Sequence, residues 1–351
     1  MTLARTGIEE ETAIAAGELL ARVWTPATRR AWTREGGVPG AWKDAARAGW
    51  FDTLVEEEAG GLGLGVVEAC AIAEAAGRHL LPGPIRDTLA WSPAVRAQAG
   101  TATGMLAECS AHSPEASTAA VRNGLVSATG LRADWADSAD LLIVDAGSAV
   151  VAIDAHDPRV RASRLESLDL LRAPHAIDVD DAPVLGTLAS GGDVARLWGR
   201  MRPLTLVLAA SELLGVAESI VAMTFEYAAD RRQFDRRINS FQAVQHRLVD
   251  MRVTLESMRS LCHLAQIAVR DTTGEAEALA AAAKAHASAG SRELAESALQ
   301  VHGGIGFTRD CDLSPHVARA LTLQSTLGDD TALCRWLGRA ALDGADDGGG
   351  R

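Results

Sequence analysis

The chain has 351 residues, 48% of them hydrophobic, and 34 Lys and Arg against 46 Asp and Glu give a formal net charge of −12. The length and the apolar content predict a large core divided among layers or domains. The acidic balance excludes a protein that grips a nucleic-acid backbone, because such a protein needs a basic face. It is compatible with a small phosphate-bearing cofactor, for which a few local donors are enough.

The N-terminal segment and the cysteines predict a reduced, cytoplasmic protein. Residues 1–20 carry an acidic cluster where a signal peptide needs a basic and then an apolar block. No uninterrupted apolar run reaches the length of about 18 residues that a membrane span requires, so we expect no membrane partner. The five cysteines form no Cys-x-x-Cys pair, which argues against a disulfide framework and against a metal site.

Residues 1–98 predict an N-terminal helical domain. Apolar residues recur at helical spacing over 12–23 and 66–76. The glycine-rich run between these segments, Glu56 to Gly65, marks a loop. Such a loop could bind phosphate, but acidic residues precede it and no Lys-Ser or Lys-Thr follows, so a plain connection between helices is favoured. The segment Leu81-Pro82-Gly83-Pro84 then stops the second helix.

Residues 99–192 predict a small antiparallel β domain. Short runs of β-type residues at 141–144, 149–153 and 175–179 are separated by Gly, Asp and Pro turns. No helix alternates with these runs, which argues against a doubly wound dinucleotide-binding domain.

Residues 193–342 predict a C-terminal four-helix bundle, and residues 343–351 predict a disordered tail. The helical blocks run over about 194–231, 239–270, 275–301 and 314–341. Short connections between long helices favour an antiparallel bundle. The predicted fold is therefore mainly α, with a small β domain in the middle.

The first segment that could bind a ligand begins at Tyr227, the single Tyr of the chain. Arg231 offers a planar fork suited to a diphosphate, and Phe234 offers a ring for a flat ligand. Gln242 could read the polar edge of a base or sugar. The alternative, which composition alone favours, is that the Phe residues here belong to the bundle core and that Arg231 is a solvated helix end.

The second such segment runs from Gln300 to Phe307. The consecutive glycines Gly303 and Gly304 let the backbone approach a ligand and present N–H groups to an anion. Gln300 could add a side-chain donor. The alternative is a helix stop that binds nothing.

Together, the two segments resemble the C-terminal signature of the acyl-CoA dehydrogenase family. The matching patterns are Tyr-x3-Arg-x-Gln-Phe from Tyr227, Phe-Gln-x-x-Gln from Phe241 and Gln-x-x-Gly-Gly-x-Gly-Phe from Gln300. Residues 49–84 resemble the N-terminal helical domain of that family. The resemblance implies a tetramer that binds FAD at a subunit interface, with the flavin ring in the neighbouring subunit. It also implies that the diphosphate and adenosine part of FAD is contacted by Arg231, Phe234, Gln242, Gln300, Gly303 and Gly304.

The catalytic base of the family is missing from this chain. The family removes the α proton of an acyl-CoA with a Glu of a Glu-Gly pair and passes the β hydride to flavin. Counting from Gly303-Gly304 places that Glu at Leu327, followed by Gly328, and a Leu side chain cannot take a proton. The alternative position of the family, here within 201–210, holds no carboxylate. Four acids remain as substitutes, each of which can also be a solvated or capping acid: Asp329, Asp330, Glu212 and Glu226.

Two further departures concern the flavin site. The family's Thr-Glu-Pro-x-Ala-Gly-Ser-Asp segment is absent, and Cys109 to Ser117 occupies its approximate place. In the first signature, Asp235 and Arg237 replace the usual Gly and Pro.

These departures predict a short subunit without a base in a heterotetrameric acyl-CoA dehydrogenase, resembling actinobacterial members that act on steroid-derived acyl-CoA thioesters. A longer acyl-CoA dehydrogenase subunit would supply the Glu and the flavin pocket. The resemblance also implies an electron-transferring flavoprotein as electron acceptor. Two alternatives stay open: a self-sufficient homotetrameric dehydrogenase with an unrecognised base, and a catalytically dead scaffold.

Overall fold

The computed structural model of the chain describes residues 7–35, 37–99, 104–111, 117–308 and 310–348. Close contacts divide the chain into two compact units. The helical unit comprises Met1–Leu20, Cys70–Leu80 and Leu206–Arg351, and the mixed unit comprises Ala21–Ala69 and Leu81–Thr205. The domain boundaries at 98/99 and 192/193 stay a prediction.

Helices occupy both ends of the described chain, as the sequence predicts. The α-helices are α1 (Ile8–Val23), α2 (Pro26–Glu35), α3 (Gly40–Arg47), α4 (Val66–His79), α5 (Ile85–Ala99), α6 (Asp193–Asp230), α7 (Gln242–Arg270), α8 (Ala276–His302), α9 (Leu313–Leu323) and α10 (Asp330–Gly348). Short 3-10 helices cover Trp50–Asp52, Glu57–Ala59, Ile238–Ser240 and Gly303–Phe307.

The middle of the chain forms a sheet within the mixed unit. Its strands are β1 (Leu106–Ala111), β2 (Thr118–Arg122), β3 (Leu125–Asp134), β4 (Leu141–Asp145), β5 (Ala149–Asp154), β6 (Val160–Arg164) and β7 (Pro174–Ser190). The strand order is β2-β3-β1-β4-β5-β7-β6, and an additional β3–β7 pairing joins β3 to the long β7. The expectation of a purely antiparallel domain is wrong at one place, because β1 and β4 are parallel, with Leu106 opposite Leu141.

The bundle differs from the prediction in its last helical block. This block is broken into α9 and α10, because Leu327 and Gly328 adopt left-handed backbone conformations with φ of 59° and 96°. A right-handed helix cannot pass through two such residues. Helix α10 then continues to Gly348, so the predicted disordered tail begins inside a helix, and its last residues, 349–351, lie outside the described residues.

Helix α6 is long and apolar enough to cross a membrane, but 78% of its most apolar window is buried inside the protein. In the helical unit, α6 crosses α4 at backbone distance. A Cβ on Gly77 would lie 2.0 Å from the carbonyl oxygen of Glu212, and a Cβ on Gly215 would lie 1.9 Å from that of Glu74. This crossing therefore depends on a glycine on each helix.

Candidate cofactor site and base position

An arginine-rich hairpin follows the end of α6. Strand β8 (Arg232–Gln233) pairs with β9 (Arg236–Arg237), and Ile238 N donates to Arg231 O at 2.9 Å. The two residues between the strands, Phe234 and Asp235, have φ of 52° and 60°. Positive φ at both central positions is the signature of a type I′ turn, which matches the twist of a hairpin. Asp235, in place of the family's Gly, is among the residues that tolerate this conformation.

The hairpin presents its side chains to the outside of the chain. Phe234 is 86% exposed, so the alternative that this ring belongs to the bundle core is wrong. Phe241 packs edge-on against Phe234 at a centroid distance of 6.2 Å and carries the Arg236 guanidinium 3.8 Å above its ring. Arg231 is exposed beside these rings, and so is Gln242, the first residue of α7. The hairpin therefore offers cationic and aromatic groups to a ligand.

The glycine segment forms a second exposed turn at the end of α8. Gly303 has φ 65° and ψ −149°, a combination that only glycine adopts readily. A Cβ added at Gly303 or Gly304 would meet no atom within 4 Å, so the backbone here is open to a ligand. Gln300 is exposed in the last turn of α8, and Phe307 at the end of the 3-10 helix is 72% exposed.

One aromatic contact joins the two segments. Tyr227 stacks on His302 with centroids 4.2 Å apart and an interplanar angle of 20°, and its hydroxyl donates to the backbone oxygen of His302 at 3.3 Å. Tyr227 lies one helical turn before Arg231, and His302 directly precedes Gly303. The structure thus brings the predicted Arg231 and Gly303 segments together through residues that the sequence reasoning did not assign.

Leu327, the predicted position of the missing base, lies in a turn between α9 and α10 that α8 contacts. Lys284 Nζ donates to Ser288 Oγ at 2.8 Å and to the backbone oxygens of Gln324 and Gly328 at 3.2 and 3.3 Å. Lys284 is fully buried. Because the two carbonyls flank Leu327, this ammonium fixes the turn on both sides of it. The sequence contains a signal for this contact, because Lys284 is one of two Lys in a chain that otherwise uses Arg for its positive charges.

The four substitute acids have structural roles or lie in solvent. Asp329 Oδ1 accepts from Ala332 N at 2.7 Å, which caps α10. Asp330 pairs with Arg292 at 3.2 Å, and this hydrogen bond lowers the pKa of Asp330. Glu212 pairs with the buried Arg319 at 3.3 Å, and Glu226 is exposed.

The mixed unit holds a carboxyl that the sequence reasoning missed. Glu108 on β1 accepts from Trp91 Nε1 at 2.7 Å, and its backbone N–H donates to Asp87 at 3.1 Å. Burial, followed by the nearby negative charge of Asp87, raises the pKa of Glu108 to about 7. Of the Cys109–Ser117 segment, residues 112–116 lie outside the described residues. Among the described His, Cys, Asp and Glu, no group of three is placed to hold a metal ion.

Comparison with known proteins places this geometry in a family. The acyl-CoA dehydrogenase N-terminal domain model matches residues 9–107, and the C-terminal domain model matches residues 204–342. The acyl-CoA dehydrogenase FadE27 of Mycobacterium tuberculosis is 27% identical over 326 residues, which cover 85% of this chain and 87% of FadE27.

Two solved structures extend the likeness to almost the whole chain. The ChsE4–ChsE5 complex from Mycobacterium tuberculosis contains a chain that matches with a TM-score of 0.85 and 26% identity, over 97% of this chain and 99% of that one. The Tcur3481–Tcur3483 steroid ACAD matches with a TM-score of 0.84 and 25% identity, over 96% of this chain and 98% of that one. With family models matching both ends of the sequence, the chain belongs to the acyl-CoA dehydrogenase family.

Proposed function

We propose that this chain is the subunit without a base in a heteromeric, FAD-dependent acyl-CoA dehydrogenase that desaturates an acyl-CoA thioester between its α and β carbons. The carrying observation is that Tyr227 and His302 join two exposed segments whose residues suit an anion, while the chain has Leu327 at the predicted base position. Half of a site is useful only if another subunit supplies the other half.

The residues present fit the diphosphate and adenosine part of FAD. Arg231 would pair with phosphate oxygens through its planar guanidinium, and the open backbone at Gly303 and Gly304 would approach the same anion. Phe234 would lie against a flat ring, while Gln242 and Gln300 would donate to or accept from polar edges. FAD is the cofactor of this family, and when bound it accepts the hydride from the substrate.

The partner would be a longer acyl-CoA dehydrogenase subunit that contributes the Glu and the flavin-ring pocket. Two observations support a partner. No substitute acid near Leu327 is available as a base, because Asp329 caps a helix and Asp330 pairs with Arg292. The similar ChsE4–ChsE5 structure is a complex of two named proteins. We further propose a steroid-derived acyl group, an electron-transferring flavoprotein as electron acceptor and a cytoplasmic location.

Expression of the chain alone and together with a candidate longer acyl-CoA dehydrogenase subunit tests this proposal. We expect a colourless, inactive protein alone and a yellow, active complex with the partner. Turnover of acyl-CoA by the purified chain alone at about 1–1000 per second would contradict the proposal and favour a self-sufficient enzyme. A protein that gains no flavin with any partner would instead favour the scaffold.

A further inference from the structure

We propose that Tyr227 and His302 act as a joint that fixes the spacing between the arginine hairpin and the glycine turn, which makes Tyr227 a positioning residue for the FAD diphosphate. This inference rests on the proposed function. It assigns a role to two residues that themselves need not contact the cofactor.

The contacts of Tyr227 connect it rigidly to the hairpin. Arg231 N donates to Tyr227 O at 2.8 Å, so the backbone of Arg231 is fixed to the last turn of α6. On its other side, the Tyr227 ring is stacked on His302 at 4.2 Å and its hydroxyl is bonded to the His302 backbone at 3.3 Å. Tyr227 therefore links His302 to the start of the hairpin through one ring contact and two hydrogen bonds.

The contacts of His302 connect it equally to the glycine turn. Its Nδ1 lies 2.8 Å from Ala298 O, and the side chain is buried with 8% exposure. Burial lowers the pKa of His302, so the ring is neutral at pH 7 and its Nδ1–H donates to that carbonyl. Gly303 follows in a conformation that only glycine adopts readily, and a Cβ on Gly306 would lie 3.1 Å from the Cβ of His302. His302 thus borders the glycine turn at its first residue, Gly303, and again at Gly306.

The joint matters because a diphosphate must be met from both segments at once. Phe234 in the hairpin and Phe307 in the glycine turn are 86% and 72% exposed, so both rings lie on the surface where a ligand can meet them. Hydrogen bonds to phosphate require donors placed within a few tenths of an ångström. A connection between the segments that exists before binding reduces the ordering cost of binding.

FAD titration of the flavin-free complex tests the joint. Tyr227→Leu removes both the stack and the hydroxyl, and we expect the Kd for FAD to rise about 10- to 100-fold. Tyr227→Phe keeps the ring and should raise the Kd only about 2- to 5-fold. His302→Phe, which keeps a flat ring on Tyr227, should bind FAD better than His302→Ala. Glu226→Gln, next to Tyr227 on the exposed side of α6, is the matched control and should bind like the wild type.

The outcomes separate this inference from the function on which it rests. If Arg231→Ala weakens FAD binding while Tyr227→Leu stays within about twofold of the wild type, the joint is wrong and the proposed function stands. If neither variant changes the Kd, the proposed function itself fails. A loss of FAD affinity in Tyr227→Leu that is matched by a lower thermal midpoint of the flavin-free complex would also overturn the joint, since it would indicate a general structural role. Should Tyr227→Leu not fold, equal Kd values for His302→Phe and His302→Ala would contradict it.

Discussion

Glu108 in the mixed unit shows how the burial of one carboxyl makes the stability of the chain depend on pH. Its carboxylate accepts from the indole of Trp91, while Asp87 and Asp145 add negative charge and Arg86 adds positive charge. The pKa is raised from 4.5 to about 7, with burial as the largest cause. Between these values the folded chain holds a proton that the unfolded chain has released. Stability therefore falls as the pH rises through this range.

Glu108→Gln should remove that dependence, because the amide oxygen can still accept from Trp91 and carries no charge. We expect the variant to gain stability over the wild type by about 1 kcal/mol more at about pH 8 than at about pH 6. Chemical denaturation at the two pH values measures the difference. The exposed Glu58→Gln is a charge-matched control, and an equal pH dependence in both variants would rule out the assignment to Glu108.

At the scale of elements, the close crossing of α4 and α6 depends on glycines, which place no side chain between the two backbones. Gly215→Ala would force a Cβ to within 1.9 Å of Glu74 O, which is backbone and cannot rotate away. Overpacking of this kind costs about 1–3 kcal/mol or more. Gly199→Ala, on the same helix with no atom within 4 Å, should instead stabilise by about 0.5–1 kcal/mol. Opposite shifts of the thermal midpoint are expected, and a stabilising Gly215→Ala would refute the close crossing.

The elements also show where sequence reasoning succeeds and where it stops. Helices α6 and α8 end close to the predicted positions, because the signal that ends each helix is local in the sequence. The hairpin follows α6, and a glycine follows α8. The break between α9 and α10 was missed, since Lys284 fixes that turn from a residue 40 positions before Gln324. Four of the seven strands of the sheet were missed: β1, β2, β3 and β6. Most residues of β2 and β6 are exposed and lack the apolar runs that mark buried strands, and β3 alternates buried with exposed residues. The parallel pairing of β1 with β4 depends on tertiary arrangement and not on either strand.

For the whole molecule, the sequence motifs predicted the family, and the family models that match the chain confirm it. The two segments assigned to the cofactor site stay a prediction. The contact between Tyr227 and His302 could not be predicted, because 75 positions separate the two residues.

The chain concentrates four arginines between residues 231 and 237 in a protein of net charge −12. A local cationic cluster of this kind matches an anionic cofactor and not a nucleic acid, which needs an extended basic face.

The proposed division of one site between unlike subunits predicts a stoichiometry. We predict one FAD for each pair of unlike subunits and two such pairs in the complex, because this chain has Leu327 where a second active site would need Glu. Arg231→Ala should lower the flavin content, since a lost hydrogen bond to a charged group costs about 1.5–3 kcal/mol. Leu327→Ala is the matched comparison and should leave flavin content and activity nearly unchanged. Flavin absorbance per mole of purified complex measures each value, and two flavins per unlike pair in the wild type would show that this chain completes a site of its own.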